Sequence, residues 1–193
     1  MTTLYFIRHG QTDWNIEGRW QGHADVPMNA RGRQQAARIA RSLADVGLAA
    51  IYSSDLQRAA ETAQAISLAT HLPVRHDPRL REINQGEWQG LLASQVQAHY
   101  GELLRKRQQD PLTIAPPGGE SVLQVRDRLV SAVEDILARH PNERVAVVSH
   151  GFALAVLQVH YQGYPIEKAW DFIPSNDEWR VLEIASVIPT NNI

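Results

Sequence analysis

Leu4-Tyr5-Phe6-Ile7-Arg8-His9-Gly10, near the start of the chain, is answered late in it by Val145-Ala146-Val147-Val148-Ser149-His150-Gly151. Each stretch is a short apolar run with β-branched or aromatic content, bounded by polar residues, as expected of a strand buried in a parallel sheet. Each then runs into a histidine followed by glycine. Both histidines therefore leave a strand at its carboxyl end, the edge at which open α/β sheets bind ligands, and neighbouring strands would bring His9 and His150 into one crevice. Glycine after each histidine lets the backbone turn sharply and come close to a ligand. A lone strand-end histidine is more often satisfied by a backbone group than reactive; the echo, with the residues below, reverses that weighting.

Working outward, Ala50–Tyr52 reads as a weaker third strand, and Glu178–Ile184 alternates well enough to be a late one. Between the strands, Ala36, Ile39, Ala40 and Leu43 fall at i, i+3, i+4, i+7, as do Leu56, Ala59, Ala60 and Ala63. Each set puts one apolar stripe against a sheet. After Ser121, whose Ser-Val-Leu opening suits N-capping, Leu129, Val133, Ile136 and Leu137 share a face, and Gly151–Val159 continues as a helix. Gly47 and Pro141 sit where the first and third of these helices should stop. Alternation of strand and helix predicts an α/β fold: a three-layer α/β/α sandwich with a mainly parallel central sheet. From Gly86 to Gly119 the order weakens, with loops at Asp110-Pro111 and Pro116-Pro117-Gly118-Gly119 around one or two short helices. That stretch reads as a small helical and loop cap inserted over one end of the sheet, inside a single domain spanning 1–193.

Length and composition agree, since 193 residues with 44% hydrophobic and 21% charged residues suit one ordinary globular domain. Nineteen Lys and Arg against 21 Asp and Glu, a net charge of −2, give no global field for nucleic acid or an anionic membrane, so neither is expected as a partner. Any anion site must be local. The absence of cysteine removes disulfides, thiolate metal sites and cysteine nucleophiles. The apolar run at the start is too short for a signal-peptide core or a membrane span, and a cytoplasmic location is the default expectation.

The chemistry-bearing residues cluster at the predicted strand ends. Arg8 lies between a buried strand and a histidine, where an unpaired charge is costly, so it wants an anionic partner. Arg58, in the opening turn of the helix after Ser53-Ser54-Asp55, opposes the helix dipole; a bound anion explains it as well as a solvated surface position does. Glu82, between apolar residues in Leu80-Arg81-Glu82-Ile83, is a candidate general acid if partly desolvated. Pairing with Arg79 or Arg81 is the plainer reading, and Glu87 is an equal candidate on residues alone. Gln11, Thr12 and Asn15 add neutral groups after His9. No phosphate-binding glycine loop of the nucleotide type and no His-Glu-x-x-His pattern is present, so a dedicated metal site is not expected. His71 and His76 read as surface residues, and Trp14, Trp20 and Trp88 as core or pocket-wall packing.

Taken together these segments resemble the histidine phosphatase superfamily, the phosphoglycerate mutase-like group, over roughly Leu4 to Ile184. The resemblance rests on Arg8-His9-Gly10-Gln11-Thr12 with Trp14-Asn15, on Gln21-Gly22 through Asn29-Ala30-Arg31-Gly32, and on Ser53-Ser54-Asp55-Leu56-Gln57-Arg58-Ala59. Leu80-Arg81-Glu82 with Gly86-Glu87-Trp88-Gln89-Gly90, then Gly118-Gly119-Glu120-Ser121 and Val148-Ser149-His150-Gly151, complete it in order. It implies that His9 is the nucleophile and Glu82 the proton donor. It further implies that Arg8, Arg58 and His150 bind the phosphoryl group, with Asn15, Gly151 and Gln21 as further contacts, and that neither cofactor nor metal is used. Glu82-Ile83-Asn84-Gln85-Gly86-Glu87-Trp88-Gln89-Gly90 is similar to the compact phosphatase branch, which includes broad-specificity and α-ribazole phosphate phosphatases.

The expected activity is metal-independent hydrolysis of a small phosphomonoester through a phosphohistidine. The rivals are a cofactor-dependent phosphoglycerate mutase and a catalytically idle regulatory or binding protein of the same fold. Specificity is expected in the loop Glu17–Asp25, in Leu91–Gly119 and in Pro174–Asp177, where Pro174-Ser175-Asn176-Asp177-Glu178 departs from the family's small-residue pattern. Arg19, His23 and the run Arg105-Lys106-Arg107 are either contacts for a second acidic group or solvated, the solvated reading being favoured for the run. Oligomeric state stays open, a homodimer being one option.

Overall fold

Burial is continuous along the late strand from Val145 onward, and the first strand is buried or half-buried throughout, as cover on both faces of a sheet requires. The computed structural model describes residues 1–185. In chain order the elements are β1 (Thr2–Arg8), α1 (Asp13–Glu17), α2 (Ala30–Leu43), β2 (Ala50–Ser53), α3 (Gln57–Thr70), β3 (Val74–His76), α4 (Ala93–Gln109), α5 (Val122–Arg139), β4 (Arg144–Ser149), α6 (Gly151–Gln162) and β5 (Trp179–Ile184), with short 3-10 turns between some of them. The strands form one sheet in the order β3-β2-β4-β1-β5. All pairings are parallel except that of β5 with β1.

Alternate residues of each central strand enter two separate apolar clusters. Leu4, Phe6, Val145 and Val147 pack with Leu129, Val133 and Ile136 of α5 and with Leu154 and Leu157 of α6. Ile7, Ala146 and Val148 pack on the other face with Ile39 and Leu43 of α2 and Ala63 and Ile66 of α3. This is the expected α/β/α sandwich, and each fully buried aliphatic side chain contributes about 1.5–3 kcal/mol to it. The helix that follows β1 through its loop and the helix that follows β4 thus cover opposite faces of two adjacent strands. The connections diverge at the carboxyl ends of β1 and β4, leaving a crevice there of the kind in which α/β proteins hold ligands.

Helix starts follow their local chemistry. Asn29 caps α2, its side chain accepting from Gly32 N at 2.9 Å, and Ser121 caps α5 in a reciprocal box with Gln124. The expected stops are in place: Gly47 takes φ 75° just beyond α2, and α5 ends at Arg139 ahead of Pro141. Two elements escape the sequence patterns. α1 is a single turn held by a Thr12–Asn15 capping box, and β3 is an edge strand of three residues, too short for alternation to register.

The Gly86–Gly119 stretch holds α4, which is two short helices meeting at a kink at Tyr100, where φ is −130° and ψ 25°, as expected. Its two ends are pinned together. Glu87 N donates to Pro117 O at 3.0 Å, Glu120 N donates to Asn84 O at 2.9 Å, and Asn84 N donates to Glu120 Oε2 at 2.8 Å. At Gly86, with φ 50°, a Cβ would stand 2.0 Å from Pro117 O, so the pinch admits only glycine.

Candidate active site

β1 and β4 set the site's register. Arg8 pairs with Ser149 across the ladder, and His9 N donates to Ser149 O at 3.0 Å, which brings the His9 and His150 ring centroids to 5.1 Å. Beyond His9 the chain turns against α2 and α3. Gly10 N donates to Thr62 Oγ1 at 3.1 Å, and a Cβ on Gly10 would stand 2.3 Å from Gly32 O.

The protonation of both rings follows from their partners. His9 Nδ1 lies 2.8 Å from Gly10 O, and because a carbonyl only accepts, Nδ1 carries the hydrogen and Nε2 the lone pair. His150 Nε2 lies 2.8 Å from Ser54 Oγ, whose hydroxyl has no other acceptor among the described residues and so donates to Nε2. That leaves the hydrogen on His150 Nδ1, a buried donor with no partner among the described residues. Burial, and then the charges of Arg58 and Arg8, hold His9 well below the usual histidine pKa. The same first two influences, burial and Arg58, do so for His150. Both rings are neutral at neutral pH.

The two arginines are held by backbone. Arg58, fully buried, donates from Nη1 to Ala24 O and from Nη2 to Gly22 O, both at 2.8 Å. Burial lowers its pKa to about 10, so it stays charged, and the solvated alternative for this residue is excluded. Arg8 donates from Nη1 to Pro174 O at 2.5 Å, and burial lowers its pKa too. The Nε atoms of Arg8 and Arg58 are buried without partners among the described residues. Gly151 does not itself line the cleft; a Cβ there would stand 3.1 Å from Arg8 Cζ, so its lack of side chain makes room for that guanidinium.

Glu82, and not Glu87, reaches the cleft. Its Oε1 accepts from Ala153 N and Ile83 N at 3.0 and 2.9 Å, and its Oε2 accepts from Phe152 N at 3.0 Å. It thereby serves the open amides of α6, whose N-cap residue His150 supplies no side-chain cap. The expected alternatives are used elsewhere: Arg81 pairs with Asp55, Arg79 with Asp77 and Asp135, and Glu87 accepts from the Tyr100 hydroxyl at 2.9 Å. From behind, Arg128 Nη2 donates to Glu82 O at 2.7 Å and His23 Nε2 donates to the same carbonyl at 2.8 Å, while Arg128 is paired with Glu120. His23 is thus a brace for Glu82.

A cleft of about 660 Å³ opens at these residues, with Arg8, His9, Asn15, Gln21, Arg58 and Glu82 on its wall. His150 is fully buried beside His9 and is not on the cleft wall itself. Asn15 spends its Oδ1 on Thr12 N and Thr12 Oγ1, and Gln21 Oε1 is buried without a partner among the described residues. Trp20 lines the cleft and Trp88 is fully buried behind it, whereas His71 and His76 lie on the surface.

Three contributors owe their roles to partners distant in sequence. Ser54 fixes the His150 tautomer, Thr62 anchors Gly10, and Asn176 Nδ2 donates to His9 O at 2.8 Å. The segment that departs from the family pattern, Pro174 to Glu178, is therefore the one that grips both Arg8 and His9. One expectation fails: Arg107 is not solvated with its neighbours but only 8% exposed and on the cleft wall. The rings of Trp20 and Trp88 receive it, while Lys106 stays outside and pairs with Glu102.

Comparison with known proteins points to one family. A phosphoserine phosphatase 1 from Hydrogenobacter thermophilus is 34% identical over 184 residues, 95% of this chain and 87% of that protein. A probable phosphoglycerate mutase GpmB from Escherichia fergusonii is 36% identical over 170 residues, 88% of this chain and 78% of that one. The solved structure of the α-ribazole phosphatase from Shigella flexneri superposes with a TM-score of 0.88 at 28% identity, covering 95% of this chain and 91% of that one. With the family profile matched over residues 4–189, the chain belongs to the histidine phosphatase superfamily, branch 1.

Proposed function

We propose that this phosphatase hydrolyses a small phosphomonoester without a metal, passing the phosphoryl group through His9. The observation that carries the reading is the His9 tautomer: Nδ1–H is tied to Gly10 O, which leaves the Nε2 lone pair as a neutral nucleophile on the wall of a cleft bearing two buried guanidiniums. A phosphomonoester is dianionic, and the guanidiniums of Arg8 and Arg58 match its equatorial oxygens, with the unpartnered His150 Nδ1–H behind the wall beside His9 and with Asn15 and Gln21 at the margin. His9 Nε2 forms the new bond to phosphorus as the ester P–O bond breaks. Glu82 in its acid form gives its proton to the departing alkoxide, and as carboxylate then takes a proton from the water that cleaves the P–N bond. Phosphate leaves, and His9 is restored as the neutral ring.

The test is phosphate release from a panel of phosphomonoesters in EDTA by the native protein and by His9→Ala, with trapping of acid-labile phosphate on the protein. Release that persists in EDTA and is lost in the variant is the expected result. EDTA-sensitive release, or release undiminished by His9→Ala, refutes the proposal. The mutase reading draws on the name borne by the Escherichia fergusonii relative, and a coupled mutase assay decides it: isomerisation faster than release replaces hydrolysis as the activity.

A further inference from the structure

Arg107 is the least explained charge in the cleft. It projects from α4, 8% exposed, and no carboxylate lies within ion-pair distance of it among the described residues. Its guanidinium makes one hydrogen bond among the described residues, Nη1 to Gln85 Oε1 at 3.0 Å, and lies 5.2 Å from the Trp88 ring centroid and 5.8 Å from that of Trp20. The aromatic faces hold the cation by cation–π attraction and leave its remaining N–H donors unused. A buried charge left so poorly served is unfavourable unless something else meets it. The other cations on the wall are accounted for: Arg8 and Arg58 face the phosphoryl pocket, and Arg19 pairs with Glu17 and donates to Gly90 O. Glu167, the other carboxylate on the wall besides Glu82, is exposed and forms no ion pair with Arg107.

We infer that Arg107, with Gln85, forms a second anion subsite in the same cleft, and that the substrate class is a phosphomonoester carrying a carboxylate. The inference rests on the phosphomonoesterase reading above and narrows it. Charge count selects carboxylate over a second phosphate. The phosphoryl pocket has two guanidiniums for a dianion, whereas this subsite has one guanidinium and one neutral amide, matching a single negative charge in the fork geometry that arginine offers.

O-phosphoserine and O-phosphoethanolamine differ only by the carboxylate and make a matched pair. The native protein is expected to favour phosphoserine in kcat/KM by about 10- to 100-fold, the range of a charge-assisted hydrogen-bonded contact. Arg107→Met keeps an apolar stem against Trp20 and Trp88 and should collapse that ratio toward one; Arg107→Lys should restore part of it. A ratio near one in the native protein, or a ratio unchanged in Arg107→Met whether or not both rates fall, overturns the inference. The native ratio decides the matter if the variant does not fold. Loss of His9-dependent release from every ester is a separate result, and it removes the phosphomonoesterase reading instead.

Discussion

Lowering the pH from 7.0 to 5.5 should destabilise this fold through its two buried histidines. His9 and His150 are held neutral in the folded protein, far below the 6.5 of an ordinary histidine, by burial and the charges of Arg58 and Arg8. Below about pH 6.5 the unfolded chain binds protons on these residues that the folded chain refuses, so stability falls as pH falls and is fully present above that value. For a ring that stays neutral throughout, linkage gives a loss of about 1.2 kcal/mol over this interval, hence about 2.5 kcal/mol for the pair. Urea unfolding followed by tryptophan fluorescence in phosphate-free buffer measures it, and a slope of about 2 kcal/mol per molar would move the midpoint by about 1.2 M. Phosphate must be absent because a ligand of the folded state would mask the loss. Other groups also titrate in this interval, so the diagnostic quantity is the difference between proteins. His9→Asn and His150→Asn should each recover about 1.2 kcal/mol of the pH-dependent loss. Equal pH dependence in the native protein and both variants would refute the reasoning.

Two further outcomes are expected. Asn176→Ala removes the donor to His9 O and should lower kcat/KM by about tenfold, with Asn176→Asp, which sets an acceptor against that carbonyl, lowering it more; rates within a factor of two of native would refute the positioning role. Gly32→Ala puts a Cβ about 2.2 Å from Gln11 O and should cost about 2 kcal/mol, a fall of roughly 6 °C in the melting midpoint by calorimetry; an unchanged midpoint would show that the turn relaxes freely.

The parts of the site legible in sequence are those written locally. His9 and His150 each end an apolar run, and the echo between the runs anticipates their adjacency on neighbouring strands. Glu82 could not be separated from Glu87 because the distinction is made by α6, whose amides lie some seventy residues further along the chain. Asn176 reaches His9 across 167 residues of chain, a contact that no periodicity announces. Arg107 misleads for the opposite reason: it sits in a basic run, and such a run gives no sign that one member will stack on Trp20 and Trp88.

The pinch between Gly86 and Pro117 makes the intervening chain an excursion whose ends meet, and its first residues are also tied to the loop after α1, Gly90 N donating to Trp20 O and Trp20 N to Leu91 O. Glu82 is fastened outside that excursion by Arg128, itself paired with Glu120, and beside it by His23, whose own amide is held by Gln89 of the excursion. Reaction and preference are thus written in stretches of chain that meet at Gln89, Gly90 and Leu91. A recombination that exchanges the segment from Leu92 to Pro117 as one cassette, with Gly86 to Leu91 and both closing glycines kept, would rewrite which esters are accepted while leaving the bond-breaking groups in register.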